Sequence, residues 1–116
     1  MEAQRLQREQ LSEEECRALD RFVQALRGVY GGRLRQAIVF NQKRRAAGAD
    51  LDLLVILDQP DRAADMARLR RIVAPITAEM DVLITPLPVD ATEFARQPST
   101  GFFARAAAHG LAWFPD

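Results

Sequence analysis

Two aspartates stand two residues apart at the start of a strongly apolar run, Asp50-Leu51-Asp52-Leu53-Leu54-Val55-Ile56-Leu57. A short run of Leu, Val and Ile predicts a buried strand. Alternate side chains of a strand point to the same face, so Asp50 and Asp52 share one face. A charge on a buried strand is costly unless it is paired or binds a metal, so this pair is the first candidate site. Two such carboxylates are typical ligands of Mg²⁺.

The sequence before this strand predicts a helix. Ser12 and Glu15 have the spacing of a capping box, with Leu11 and Cys16 placed as a hydrophobic staple. Apolar residues then recur at helical spacing, at Cys16, Leu19, Phe22, Val23, Leu26 and Val29. We expect glycines to end this helix, at Gly28 and the pair Gly31-Gly32.

Three strands are predicted, over residues 37–40, 50–57 and 81–85, the last stopped by Pro86 and Pro88. The second is apolar on both faces after Asp52, which predicts a central strand. A helix starting at Gln59-Pro60-Asp61 links the second and third strands, and Pro75 is expected to kink or end it near Ala74. Its apolar stripe consists of Met66, Leu69, Ile72, Val73 and Ile76.

The C-terminal third predicts two short helices and an apolar end. Asp90 and Glu93 indicate a capped helix that ends before Pro98. Ser99 or Thr100 is expected to cap a last helix. That helix should run to His109, with Gly110 as its C′ residue. Residues 111–114 predict either a short edge strand or a packed coil.

The connection over residues 41–49 is too short for a full-length crossover between parallel strands. We therefore expect an α+β fold, with a small mixed β-sheet of three to four strands and helices packed on it. The 116 residues suffice for one domain, 1–116, with residues 1–10 as a frayed or helical lead-in.

Charge and cysteine content restrict the function classes. Sixteen basic and sixteen acidic residues give a formal net charge of zero, so a nucleic-acid partner is not expected, even with Lys43-Arg44-Arg45 in one loop. A neutral chain favours association, as a homo-oligomer or in a hetero-complex. Cys16 is the only cysteine, and no membrane span or secretory signal is recognisable, so we expect a cytoplasmic protein.

A third carboxylate, Asp81, opens the third predicted strand as Asp50 opens the second. If these strands are neighbours, Asp50, Asp52 and Asp81 meet at one end of the sheet, where mutual repulsion favours bound cations. Two metal ions there would bridge the phosphates of a nucleotide, and the third carboxylate is a candidate general base toward an acceptor hydroxyl.

Four segments of the chain resemble a known family. They are Tyr30-Gly31-Gly32-Arg33-Leu34, Ala37-Ile38-Val39-Phe40, Asp50-Leu51-Asp52-Leu53-Leu54-Val55 and Asp81-Val82-Leu83-Ile84. Together with the ending His109-Gly110-Leu111-Ala112-Trp113-Phe114, they look like the minimal nucleotidyltransferases of the DNA polymerase β superfamily. The resemblance covers residues 12–114.

The resemblance implies both an activity and a partner. In that family the Asp-x-Asp pair and a later Asp hold two Mg²⁺ ions, which places these roles on Asp50, Asp52 and Asp81 as catalytic and metal-binding residues. The family transfers a nucleoside monophosphate to a hydroxyl, here AMP from ATP. Its minimal members often act as antitoxins that modify a HEPN-type helical toxin, which would be the partner protein.

The chain departs from the family after the first strand, where Asn41-Gln42 replaces a Gly-Ser pair that holds the triphosphate. Glycine lets a backbone approach a phosphate closely, and a side chain obstructs that approach. The nucleotide-binding candidates are therefore Asn41 and Gln42 together with the basic Lys43 and Arg45. Two hypotheses stay open: an Mg²⁺-dependent nucleotidyltransferase, or a binding module of the same fold that has lost catalysis and acts by contact with a partner.

Overall fold

A computed structural model describes residues 11–40, 50–96 and 101–113, without the side chain of Phe102. The predictions for residues 1–10, for residues 41–49 and for Ser99, Thr100 and Phe114 lie outside the described residues. The helices are α1 (Glu13–Tyr30), α2 (Arg62–Met80), α3 (Ala91–Arg96) and α4 (Phe102–His109). The strands are β1 (Leu34–Phe40), β2 (Leu51–Leu57), β3 (Ile84–Asp90) and β4 (Leu111–Ala112).

The four strands of the described residues form one mixed sheet in the order β3-β2-β1-β4. Strand β1 pairs antiparallel with β2 and with β4, whereas β2 and β3 run parallel and are joined through α2. Helices pack on this sheet, so the predicted α+β class with a mixed sheet is confirmed. The central position predicted for β2 is confirmed. Of the two alternatives for the C-terminal end, a short edge strand or a packed coil, the described residues show a short edge strand, β4.

The two faces of the sheet bury different side chains, because neighbouring residues of a strand alternate between faces. The first face carries Leu51, Leu53, Val55 and Leu57 of β2 and packs with α1 and α2. The second face carries Leu54 and Ile56, which pack with Ile38, Phe40 and Val89 and with side chains of α3 and α4. Asp52, two residues before Leu54, therefore belongs to the second face.

Helix α1 begins at the predicted capping box. The Ser12 Oγ accepts a hydrogen bond from the Glu15 N–H at 3.0 Å, and the Glu15 carboxylate accepts one from the Ser12 N–H at 2.8 Å. Gly28 lies inside the helix, which ends only at Gly31, where a φ of 55° favours glycine. The predicted stripe is wrong at its last residue. Tyr30, four residues after Leu26, is buried, while Val29 is 51% exposed.

Helix α2 continues through Pro75 to Met80. Of the predicted kink or end near Ala74, the end is therefore wrong. A proline inside a helix leaves the carbonyl four residues earlier without its donor. That carbonyl belongs to Arg71, and both Arg71 and Pro75 are exposed, so water can replace the lost donor.

Strand β3 starts later and ends later than predicted, at Ile84 and Asp90, and both prolines lie within it. The Leu51 N–H donates to the Leu83 carbonyl at 2.9 Å, so the odd-numbered residues of β3 bond toward β2. The backbone nitrogens of the even-numbered residues point away from β2, to the free edge of the sheet. Pro86 and Pro88 are even-numbered, so the N–H groups that they lack would not bond to β2. Prolines are tolerated at that edge because no ladder bond is lost.

Helix α4 starts after Gly101 rather than at a side-chain cap, since Gly101 is the N-cap residue with a φ of 111°. It ends at His109, and the Gly110 N–H donates to the Ala106 carbonyl at 2.7 Å. Gly110 has an extended backbone with a φ of −83°, so no left-handed turn requires glycine here. Close packing does, because a Cβ would meet the Ala106 carbonyl oxygen and the Ile38 Cγ2. The buried Trp113 then donates from Nε1 to the Asp20 carboxylate at 2.8 Å.

Candidate functional site

The predicted acidic pair lies where the chain returns to the sheet. Asp50 is exposed immediately before β2, and Asp52 is the second residue of that strand. Asp52 is half-buried, with Phe40 of β1 as its partner on one side and Thr85 of β3 on the other. Directly paired residues share a face, so Phe40, Asp52 and Thr85 form one row across the second face.

Helices α3 and α4 cover only part of that face. Along β3, Val89 is buried and Leu87 is half-buried, whereas Thr85 and Leu83 are exposed. We call the region that the described helices leave uncovered, namely Asp50, Asp52, Leu83 and Thr85, the open end of the second face. The register pairs Leu51 with Ile84, so Leu83 is level with Asp50 just as Thr85 is level with Asp52. Asp50, Leu83 and Thr85 are exposed at this end of the sheet, and Asp52 is half-buried.

The environment of Asp52 disfavours its charge. Burial raises the pKa of the Asp52 carboxyl above its ordinary value of 3.8, and the neighbouring charge of Asp50 raises that pKa further. Desolvation and like-charge repulsion both favour the protonated form. A bound cation would relieve both, since it supplies the positive charge that the pair lacks.

The structure places Asp81 differently from the prediction that it opens the third strand. Asp81 is the C-cap residue of α2, exposed and left-handed with a φ of 53°, and its N–H donates to the Thr77 carbonyl. Within the described residues, no three His, Cys, Asp or Glu side chains lie close enough to hold a metal ion. The structure thus brings Asp50 and Asp52 together without Asp81. The assignment of all three to one site stays a prediction.

The predicted nucleotide-binding residues Asn41, Gln42, Lys43 and Arg45 lie outside the described residues. Their anchor points are described: the chain leaves the sheet after Phe40 and returns at Asp50. Phe40 is the direct partner of Asp52. The connection that carries these residues therefore starts and ends beside the acidic pair.

A groove of about 270 Å³ lies at the C-terminal ends of β2 and β3, away from the open end. Its lining includes Gln59 of the β2–α2 turn, Arg62, Asp90, Glu93 and Phe103. Gln59 has a φ of 49°, an unusual conformation for a residue other than glycine. The sequence gives no motif for this groove, which only the packing of α3 and α4 against the end of β3 creates.

A cluster of charged side chains surrounds the buried Asp65 beside the β2–α2 turn. Asp65 is 1% exposed, and its carboxylate accepts hydrogen bonds from the Tyr30 hydroxyl at 2.9 Å and the Asp61 N–H at 2.9 Å. Arg68 donates to the same carboxylate at 3.2 Å, and the Arg33 Nη2 lies 3.9 Å from it. Both guanidinium groups also lie over the Tyr30 ring, at 5.5 and 5.8 Å from its centroid.

This cluster joins α1, α2 and the β2–α2 turn, since Arg33 also donates to the carbonyls of Asp58 and Gln59 at 3.3 Å each. Sequence reasoning missed it. The one available signal is the spacing of four between Asp61 and Asp65, which puts a second acid over the helix N-terminus. Both carboxylate oxygens of Asp65 have hydrogen-bond partners, so the cluster stabilises the fold rather than forming a reactive site.

In comparison with known proteins, no family model, no curated protein and no solved structure matches the chain. The structure itself defines the class, a small α+β domain with a four-stranded mixed sheet in its described residues. Of the helices described, none combines the length and apolar character needed to cross a membrane.

Proposed function

We propose that this protein is an Mg²⁺-dependent nucleotidyltransferase that transfers AMP from ATP to a hydroxyl group of a partner protein. The observation that carries the proposal is the acidic pair at the open end of the second face. Asp52 is the second residue of β2 and Asp50 immediately precedes that strand. Asp50 is exposed and Asp52 is half-buried, and the charge of Asp50 raises the pKa of Asp52.

The donor set fits a hard divalent cation. Carboxylate oxygens are the ligands that Mg²⁺ prefers, and a pair of them on adjacent positions of one strand face can share one or two ions. Asp50 and Asp52 would hold the cations, and the resemblance gives the third role, as ligand or general base, to Asp81. Bound Mg²⁺ would neutralise phosphate charge and orient the transferred group.

The protein's own residues would position the substrates. Because the connection over residues 41–49 begins after Phe40 and returns at Asp50, its basic residues Lys43 and Arg45 are the candidates for binding a triphosphate. As the acceptor oxygen attacks the α-phosphorus, the bond to the β-phosphate breaks and pyrophosphate leaves. The hydroxyl must lose its proton in this step, and a carboxylate at the open end is a suitable base. By resemblance, the acceptor is a HEPN-type helical toxin, and the protein is its antitoxin. Its single cysteine suits the cytoplasm.

The direct test incubates the full chain with ATP labelled at the α-phosphate, Mg²⁺ and a candidate HEPN-type protein. We expect label on the partner with the wild type, and at least a hundredfold less with Asp52→Asn, since a metal ligand is lost. The matched control is Asp58→Asn, at the other end of β2, which should transfer label normally. A folded wild type that neither transfers label nor binds Mg²⁺–ATP in calorimetry would refute the proposal.

A second function is favoured by the observation that the described residues bring no third acidic ligand to the pair. Combined with Asn41-Gln42 in place of Gly-Ser, this suits a binding module that acts by contact alone. Under that function, Asp50→Asn leaves partner binding and the cellular phenotype unchanged. Loss of the phenotype in Asp50→Asn with intact partner binding would instead support the enzyme.

A further inference from the structure

We propose that the hydroxyl of Thr85, rather than the carboxylate of Asp81, supplies the third oxygen of the cation site at the open end. This inference rests on the proposed function, because it assigns a residue to the same site. The observation behind it is the register of the parallel pair β2–β3, in which Asp52 and Thr85 are direct partners.

Thr85 is placed to share a cation with Asp52. The two residues lie on adjacent strands, which are about 4.8 Å apart, and their side chains project from the same face. Thr85 is exposed, so its hydroxyl is accessible from solvent at the open end. A threonine or serine hydroxyl is an established Mg²⁺ ligand in other phosphate-binding sites.

Asp81 lies further along the strand direction. It precedes Thr85 by four residues and lies before the strand begins. The chain does not reach strand conformation until Ile84, and Asp81 itself is committed to ending α2. Within the described part of the chain, the three aspartates form no common group that could hold a metal ion.

The same register explains why a hydroxyl suits this position. A third carboxylate directly beside Asp52 would add a third negative charge to a pair that already repels. A neutral oxygen ligand adds coordination without that repulsion. Leu83, the exposed neighbour level with Asp50, offers no oxygen from its side chain, so Thr85 is the polar side chain that β3 presents at the open end.

The test measures cation binding directly, with Mn²⁺ followed by electron paramagnetic resonance and Mg²⁺ by calorimetry, without any nucleotide. Thr85→Val removes the hydroxyl at nearly constant volume, Thr85→Ser keeps it, and Asp81→Asn keeps the left-handed cap that asparagine tolerates. We expect Thr85→Val to weaken binding about tenfold, and Thr85→Ser and Asp81→Asn to bind within about twofold of wild type.

Each other outcome is decisive. If Thr85→Val binds like the wild type, the proposal is overturned, while the nucleotidyltransferase function stands on Asp50 and Asp52. If Asp81→Asn weakens binding as much as Thr85→Val does, the replacement of Asp81 by Thr85 is overturned. A wild type that binds neither cation overturns this inference and the proposed cation-dependent function together. Unchanged circular dichroism of each variant shows that the fold is intact.

Discussion

The hydroxyl of Tyr30, the last residue of α1, donates a hydrogen bond of 2.9 Å to the carboxylate of Asp65 in the first turns of α2. Both side chains are buried, and the bond joins two helices through residues that are 35 positions apart in the sequence. Since Arg33 and Arg68 lie over the same ring, both the ring and the hydroxyl of Tyr30 join the cluster to α1.

Removal of that hydroxyl should destabilise the protein. We expect Tyr30→Phe to lower the free energy of unfolding by about 1–3 kcal/mol, because a buried carboxylate loses a donor while the ring remains. Urea unfolding followed by circular dichroism measures this. An unchanged midpoint would show that the Tyr30 bond contributes nothing, and the exposed Val29→Ala, one residue earlier, serves as control.

The same residue predicts a loss of stability in alkali. Burial, the hydrogen bond to Asp65 and the charge of Asp65 raise the pKa of Tyr30 above its ordinary 10.0, and Arg68 opposes this. Because the folded state holds this proton more tightly, the stabilisation is complete below pH 10.0. It is lost as the pH rises from there through the folded pKa. Tyr30→Phe should lack this alkaline loss, which unfolding midpoints between pH 8 and 11 would reveal.

Neutralisation of Asp52 should stabilise the metal-free protein. The pKa of Asp52 is raised, so the folded state binds this proton better and stability falls as the pH rises from 3.8 through the raised pKa. In EDTA at pH 7, Asp52→Asn should gain at most about 1 kcal/mol, since the group is half-exposed and screened by solvent. The gain should vanish below pH 3.8.

Addition of Mg²⁺ should make the wild type more stable than Asp52→Asn, the reverse of their order in EDTA. A ligand that binds only the folded state raises the unfolding temperature. We therefore expect millimolar Mg²⁺ to stabilise the wild type and to leave Asp52→Asn unchanged. Equal effects on both proteins would show that the cation acts elsewhere.

Gly110 and Gly28 should respond to alanine in opposite directions. A Cβ at Gly110 would overlap the Ala106 carbonyl oxygen and the Ile38 Cγ2, so Gly110→Ala should cost about 1–3 kcal/mol. At Gly28, inside α1, a Cβ meets nothing within 4 Å, so Gly28→Ala should add about 0.5–1 kcal/mol. Thermal unfolding of the two variants side by side tests both signs.

The prolines of β3 should protect its free edge. Replacement of the buried Pro86 and Pro88 by valine supplies two N–H groups that point away from β2, and an edge strand with unpaired donors promotes strand pairing between molecules. We expect sedimentation velocity to show self-association of the double variant. Pro75→Ala, which adds an N–H inside α2, should leave the sedimentation profile unchanged.

The sequence alone determined the parts of the fold that depend on local patterns. The capping box at Ser12, the helical stripe of α1 and the apolar run of β2 all specify their elements through neighbours in the chain. The two-residue period of a strand predicted that Asp50 and Asp52 lie close together, and in the structure the charge of Asp50 acts on Asp52. The short connection between β1 and β2 was enough to predict a mixed sheet.

Only the tertiary structure decided what depends on which segments become neighbours. Pro86 and Pro88 end a strand by local rules, yet they lie within β3 because the sheet order leaves their N–H side free. Asp65 is a surface residue by composition, yet Tyr30 and two arginines make its burial favourable. The register that sets Thr85 beside Asp52, and leaves Asp81 on a helix cap, follows from long-range strand pairing, which no local pattern encodes.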